Sequence, residues 1–525
     1  MKNFILAFTL FICSGLFNFA WAEPVQPKIL YIPLDNRPVN DSYVKQIIKS
    51  TNTRFFTLPN DYLAKDLQGE SKVEEAWTWL MQKAQSADIA VLSADTLIYG
   101  GLVPSRRHNL DSSILQERLE RFKLLKQKYP RLKIYIFSTV LRSPKASQGG
   151  AEPDYYAVYG PKIFRYTSLW AKNELGMISP EEKNEMQALK SAVPKEYMQD
   201  WLNRRDKNFA VNQQLVALTK SGVIDYLALG RDDTAVYSLS TKEYLQLSKE
   251  AEELYSSKFS STHKFSTFCG VDDLGLILLA RAFNNYRTVK VMPIYAPGKG
   301  GATIANYEDE PIEQNTVQHI FAAGAIPAPD MAKADMLFLI NTPFDGKTKE
   351  AGSAINQISS EPLFIEQIKG AVLTEKPVAL ADTAFSNGAD NNLMEALKEN
   401  KLLYKLNSYA GWNTAGNSLG FALGQGLLSD FMQDKQIKNL LTVRYLDDWG
   451  YQSNVRTELG KTIIKEKKID KNNLNSSPFF NQLKEETQAN LVGFQYKNLK
   501  ESLPFEFSSD FPWNRLFEIE ISADI

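Results

Sequence analysis

Short apolar runs recur along the chain, and most of them stop abruptly on polar or acidic residues. Lys28 to Leu34 runs into Asp35-Asn36-Arg37-Pro38, and Arg54 to Leu58 is a shorter second run. Ile89 to Leu92 ends at Ser93-Ala94-Asp95, and Lys133 to Phe137 ends at Ser138-Thr139 with Arg142 just beyond. Runs of this length and composition predict buried strands. A helix is predicted between the last two: Asp111 is placed to cap it, Leu115, Leu119 and Phe122 form one stripe, and Pro130 marks its end. Strand, helix, strand in succession predicts a largely parallel sheet. Residues 150–220 carry helix and loop signals and read as an insertion over the strand ends. The strand pattern resumes at Tyr226, Phe265, Val289, Met336, Pro377 and Leu403, with a helix at Asn391 to Glu399. The Lys-, Asn- and Ser-rich stretch 465–485 reads as an exposed connection. Val492 to Tyr496 and Leu516 to Ile521 read as terminal strands.

These elements predict an α/β protein. Its first domain, 23–285, is either barrel-like or a doubly wound parallel sheet, and the strand count tilts slightly toward the barrel. A flavodoxin-like α/β unit follows over 286–465, and an extension with short strands fills 466–525.

The first 22 residues have a different character. Lys2 precedes a mostly apolar stretch from Phe4 to Phe19, and Ala20-Trp21-Ala22 fits a small-x-small cleavage site. This predicts a secretory signal peptide cut after Ala22, a periplasmic or extracellular protein, and no membrane anchor once the leader is removed. The mature chain of about 500 residues is too long for one small core. A net charge of −1 gives no reason to expect nucleic acid as a partner. With Cys13 removed in the leader, Cys269 stands alone and no intramolecular disulfide can form.

Only three histidines are present, His108, His263 and His319. No HExxH, no GxSxG elbow and no EF-hand loop occurs, and Gly298 to Thr303 matches neither phosphate-loop pattern. Chemistry is therefore expected from carboxylates, arginines, amides and aromatic rings, with no cofactor and no dedicated metal site. The foremost candidate is Asp232-Asp233, which follows the apolar run Tyr226 to Gly230 after Arg231. Strand carboxyl ends are where α/β proteins place their sites, and two acids sharing a pocket push each other's proton affinities apart. Asp272-Asp273 follows another strand, where one acid is also a natural helix cap. Asp35 and Arg37 sit on a loop that Pro38 keeps extended. Asp95 precedes a glycine pair, and Arg142 is suited to gripping an anionic group. Asp382 follows a later strand beside Asn387-Gly388. Tyr409, Trp412 and Asn413 offer stacking faces and an amide to a sugar ring.

Several of these segments lie in one order that resembles a bacterial family known as domain of unknown function family 4127. The resemblance is carried by Pro33 to Asn40, Asp95 to Gly101, Asp232-Asp233-Thr234, Asp382 to Asp390, Tyr409 to Asn417 and Pro512-Trp513-Asn514-Arg515. It spans most of the mature chain and carries over no catalytic residue. Adjacent strand-end aspartates near a Trp-Asn loop are also similar in kind to the sites of retaining glycosidases that act on 2-acetamido sugars. The leading expectation is an exported, glycosidase-like hydrolase acting on a small-molecule or glycan substrate, with Asp232 and Asp233 catalytic. The alternatives are a non-catalytic periplasmic glycan- or solute-binding protein and a metal-dependent phosphoesterase.

Overall fold

The computed structural model describes residues 26–146, 150–255, 263–352 and 362–524. The leader predicted over residues 1–22 lies outside them. Six strands open the fold: β1 (Ile29–Ile32), β2 (Phe55–Thr57), β3 (Ile89–Ser93), β4 (Lys133–Val140), β5 (Tyr226–Arg231) and β6 (Phe265–Cys269). They form one parallel sheet in the order β2-β1-β3-β4-β5-β6. The sheet has two free edges, so it is the doubly wound form and not a closed barrel.

Alternation along the strands explains why both faces are covered. Leu30, Ile32, Ala90, Leu92, Ile134, Ile136, Leu227 and Leu229 pack with Trp77, Leu80, Leu119, Phe122 and Leu215 from the helices Val73–Lys83, Ser112–Lys128 and Lys195–Lys220. Their neighbours Tyr31, Val91, Tyr135, Phe137, Tyr226 and Ala228 face the other way, into a core that includes the wholly buried helix Leu274–Asn284.

Seven further strands follow: β7 (Lys290–Tyr295), β8 (Ile326–Pro327), β9 (Met336–Asn341), β10 (Lys349–Glu350), β11 (Val378–Asp382), β12 (Phe385–Ser386) and β13 (Ser408–Ala410). Five of them make a second parallel sheet in the order β13-β11-β9-β7-β8, and β10 pairs with β12. The helix Ala415–Leu428 packs on this sheet and on Leu274–Asn284, so one hydrophobic core runs through both sheets. Near the end, β14 (Ser508–Asp510) and β15 (Glu520–Ser522) pair antiparallel.

Other sequence expectations change as well. Val492 to Tyr496 is not a strand but lies inside the helix Phe480–Asn498. Leu483, Thr487, Leu491 and Gln495 are buried there at four-residue spacing, a helical stripe partly hidden in the sequence because two of its members are polar. Leu403 opens a single 3-10 turn, and the strand begins at Ser408. The stretch 465–485 includes the end of a short helix, a 3-10 turn and the start of that long helix, with Leu474 buried. Among the described residues no helix is long and apolar enough to cross a membrane.

Candidate functional site

In an open parallel sheet every strand delivers its following loop to the same edge. Here the carboxyl edges of both sheets deliver to one cavity of about 370 Å³. The first sheet supplies Arg37 after β1, Arg142 after β4, Asp232 and Asp233 after β5, and Asp272 after β6. The second supplies Tyr307 after β7 and Asn413, Thr414 and Asn417 after β13, and the β10–β12 pair adds Asn387 just past β12. Arg106, Asn472, Trp513, Arg515 and Phe517 complete most of the wall.

Each acid facing the cavity is held by a guanidinium. Arg106 Nη2 donates to Asp232 Oδ2, and Arg142 Nη1 donates to Asp233 Oδ2 at 2.6 Å. Burial alone would raise both carboxyls. For Asp232 the charges of Arg106 and Arg142 outweigh it and hold the group below the usual carboxylate range. For Asp233 burial prevails over Arg142, the neighbouring Asp232 charge adds to it, and the group is pushed up. The two side chains keep 16% and 21% exposure, which leaves them accessible from the cavity. Asp272 is more enclosed. It accepts from Arg37 Nη1 at 3.1 Å and from Asn413 Nδ2 at 2.8 Å. Its carboxyl is raised by burial, against the pull of Arg37.

Backbone strain gathers at the same place. Nine described non-glycine residues have positive φ, and four of them line this cavity: Asp233 (30°), Tyr307 (69°), Asn387 (64°) and Asn413 (69°). A left-handed tyrosine is costly and persists only where its surroundings over-determine it. Those surroundings are visible. Thr234 N donates to the Tyr307 carbonyl at 2.8 Å, and Asn387 N donates to the Asn413 carbonyl at 2.9 Å. Tyr307 Oη and Asn387 Nδ2 both donate to Glu350, at 2.6 and 2.8 Å.

The remaining predicted residues stand behind the wall. Asp35 accepts from Arg37 Nε and Asn40 Nδ2 and so orients the Arg37 fork. Asp95 is buried and accepts from Thr139 N and Oγ1, pinning the end of β4; burial raises its carboxyl to about 6 against those hydrogen bonds. Asp273 occupies the N-cap position of Leu274–Asn284 without a capping hydrogen bond and meets His319 Nε2 at 2.9 Å instead. Asp382 takes hydrogen bonds from Asn341 Nδ2, Asp390 N and Tyr409 Oη; burial, with Asp390 nearby, raises it to about 7. Tyr409 is thereby turned into the protein. Trp412 packs its ring on Phe517, with centroids 5.5 Å apart, and it is Phe517 that faces the cavity.

The aromatic wall comes from a segment singled out in the sequence only as part of a motif. Trp513 lies under both Arg37 and Arg515, 5.4 and 5.1 Å from its ring centroid, and donates from Nε1 to Asn36 Oδ1 at 2.6 Å. Arg106, Glu152, Tyr307 and Arg515 escaped the sequence reading as site residues. Only Arg515, within Pro512-Trp513-Asn514-Arg515, had a signal that pointed to it.

Fold and site together define a two-sheet α/β protein whose parallel strand ends converge on one cavity of arginine-paired carboxylates, amides and aromatic rings. The chain belongs to the family described as Protein of unknown function (DUF4127), whose model matches residues 29–522. No curated protein and no solved structure matches the chain.

Proposed function

We propose that this protein is an exported carbohydrate-active hydrolase that cleaves a glycosidic bond in the cavity between the two sheet edges. The observation that carries the reading is the division of Asp232 and Asp233. These consecutive carboxylates at one strand end have different arginine partners and opposed proton affinities. Two acids set apart in this way supply one acid and one anion to the same bond. Asp233 donates its proton to the glycosidic oxygen as the carbon–oxygen bond breaks. Ionised Asp232 faces the positive charge developing on the sugar carbon. Water then adds to that carbon and its proton returns to Asp233. Phe517 gives the sugar a flat face, and Asn387, Asn413 and Asn417 give its hydroxyls donors and acceptors. The leader read at Met1 to Ala22 supports export, with a substrate in the periplasm or outside the cell.

The test is release from a panel of chromogenic glycosides, including 2-acetamido sugars, and from bacterial cell-wall fragments, with and without chelator. Turnover that survives chelator and falls roughly 100-fold or more in Asp233→Asn, with the fold intact, supports the reading. Silence across the panel, with thermal stabilisation by one of its sugars, replaces it with a binding protein. Chelator-sensitive release from chromogenic phosphate esters, with none from the glycosides, replaces it with a metal-dependent phosphoesterase.

A further inference from the structure

The insertion places one further carboxylate against the site. Glu152 is fully buried and lies just ahead of the helix Tyr156–Glu174. Its Oε1 accepts from Arg142 Nε at 2.5 Å and lies 3.9 Å from Arg106 Nη1. Those two guanidinia hold the two members of the acidic pair. Five charges therefore alternate in one chain: Asp232, Arg106, Glu152, Arg142, Asp233. Two atoms in the middle of this chain, Glu152 Oε2 and Arg106 Nε, are buried without a hydrogen-bond partner. The centre of the chain thus has bonding capacity to spare.

The helices of the insertion hold the same assembly from behind. Arg205, anchored on Glu243, donates from Nη1 to the Arg142 carbonyl at 2.8 Å and to Ser143 Oγ at 3.2 Å, and from Nη2 to the Leu141 carbonyl at 2.8 Å. Tyr156 Oη donates to the Pro144 carbonyl at 2.9 Å, and its ring packs on Trp201. The Arg142 backbone is fixed by these helices, and its side chain is fixed by Glu152.

We propose that Glu152 is a positioning residue: it holds the Arg142 side chain, stands within ion-pair range of Arg106 to compensate it when Asp232 turns to substrate, and so keeps Asp232 and Asp233 under unequal cationic influence. Charge balance gives Glu152 this role. Without Glu152, Arg106 and Arg142 keep only Asp232 and Asp233 as ion-pair partners among the described residues, with the Arg37–Asp272 pair and Arg515 in the same wall, and both aspartates are driven toward the ionised form. Glu152 contributes in the same sense to the raised proton affinity of Asp233.

The part of this inference that concerns turnover rests on the hydrolase reading, and the spectroscopic part does not. The experiment compares the mature wild type with Glu152→Gln and Glu152→Asp. It records kcat/KM against pH and the ¹³C titration of the Asp233 carboxyl, assigned with Asp233→Asn. In Glu152→Gln the high-pH limb and the Asp233 titration both move to lower pH by about one unit. Glu152→Asp keeps the charge but shortens its reach, and moves both by less in the same direction. A drop in kcat with an unmoved Asp233 titration, in whichever variant folds, means that Glu152 only supports packing and overturns the proposal. If the wild type cleaves no glycoside, the hydrolase reading falls, and the carboxyl titration alone decides the role of Glu152.

Discussion

Arg37 and Asp272 stand 235 positions apart in the chain and meet as a fork: Nη1 donates to Oδ2 at 3.1 Å and Nη2 to Oδ1 at 2.5 Å. Arg37 leaves the end of β1 and Asp272 the end of β6, so the pair spans the strand ends of the first sheet, and Asn413 ties the same carboxylate to the second. Both side chains are buried. Removing one member of a buried, hydrogen-bonded pair strands the other's charge. Arg37→Met is expected to cost about 3–5 kcal/mol in urea unfolding. Adding Asp272→Asn to it is expected to cost less than the sum of the two single changes, with a coupling of roughly 1–3 kcal/mol. Additive losses would mean that the fork does not bind the strand ends together.

Much of this arrangement was legible in the sequence, for one physical reason. Parallel strands buried on both faces read as short apolar runs, and the residues just past them form the site edge. Ile89 to Leu92 is a strand in the sequence and extends one residue, to Ser93, in the fold; Asp232, Asp233 and Arg142 sit where their runs end. What the sequence could not resolve is which strand-end acid looks outward. Asp95 and Asp382 occupy the same kind of position as Asp232, yet their carboxylates turn inward to hold backbone and amide groups. Arg106 was hidden beside Arg107 in the short helix Leu102–Arg107, where nothing local tells which guanidinium is buried. Glu152 lies in a loop without periodicity, and its value comes only from two arginines distant in sequence.

Asn413 joins backbone strain to the site, and the two can be separated by substitution. Its φ of 69° is left-handed, while its side chain donates to Asp272. Asn413→Gly and Asn413→Ala both lose that hydrogen bond, but only alanine also carries a Cβ into the left-handed region. Asn413→Ala is expected to be less stable than Asn413→Gly by about 1 kcal/mol, and both are expected to raise KM more than they lower kcat. Equal stabilities in thermal or urea unfolding would remove the strain argument at this position.

Glu308 gives a pH signature. It is buried, accepts from Gly416 N at 2.6 Å and Asn315 Nδ2 at 3.2 Å, and burial raises its carboxyl to about 8. An acid whose folded-state pKa lies above its unfolded value binds more protons folded than unfolded. Its effect on stability is nil below the unfolded titration near 4.5, grows more unfavourable as pH rises toward 8, and levels off beyond that. Relative to Glu308→Gln, the wild type is expected to lose up to about 1.4 kcal/mol for each pH unit across that window. Chemical denaturation of both proteins from pH 5 to pH 8.5 measures it. A constant difference across the range would show that Glu308 is already ionised in the fold.

Gly416 tests whether close approach of the two sheets sets the cavity. A Cβ at Gly416 would collide with the carbonyl oxygen of Cys269, the last residue of β6, so the helix Ala415–Leu428 lies against that strand end because position 416 has no side chain. One residue on, Asn417 Oδ1 accepts from Val271 N and Asp272 N, both at 2.9 Å, and fixes the loop that carries Asp272. The obstruction is backbone and cannot swing aside, so Gly416→Ala is expected to cost about 2 kcal/mol or more and to weaken ligand binding along with stability, because Asp272 moves with its loop. Gly370 is the control. It lies in the helix Pro362–Val372 with open space where a Cβ would go, and Gly370→Ala is expected to be neutral or to stabilise by roughly 0.4–1 kcal/mol. If Gly416→Ala behaves like Gly370→Ala in unfolding and in ligand binding, the edges of the two sheets do not depend on this contact. If it loses both together, the contact that joins the sheets also shapes the site.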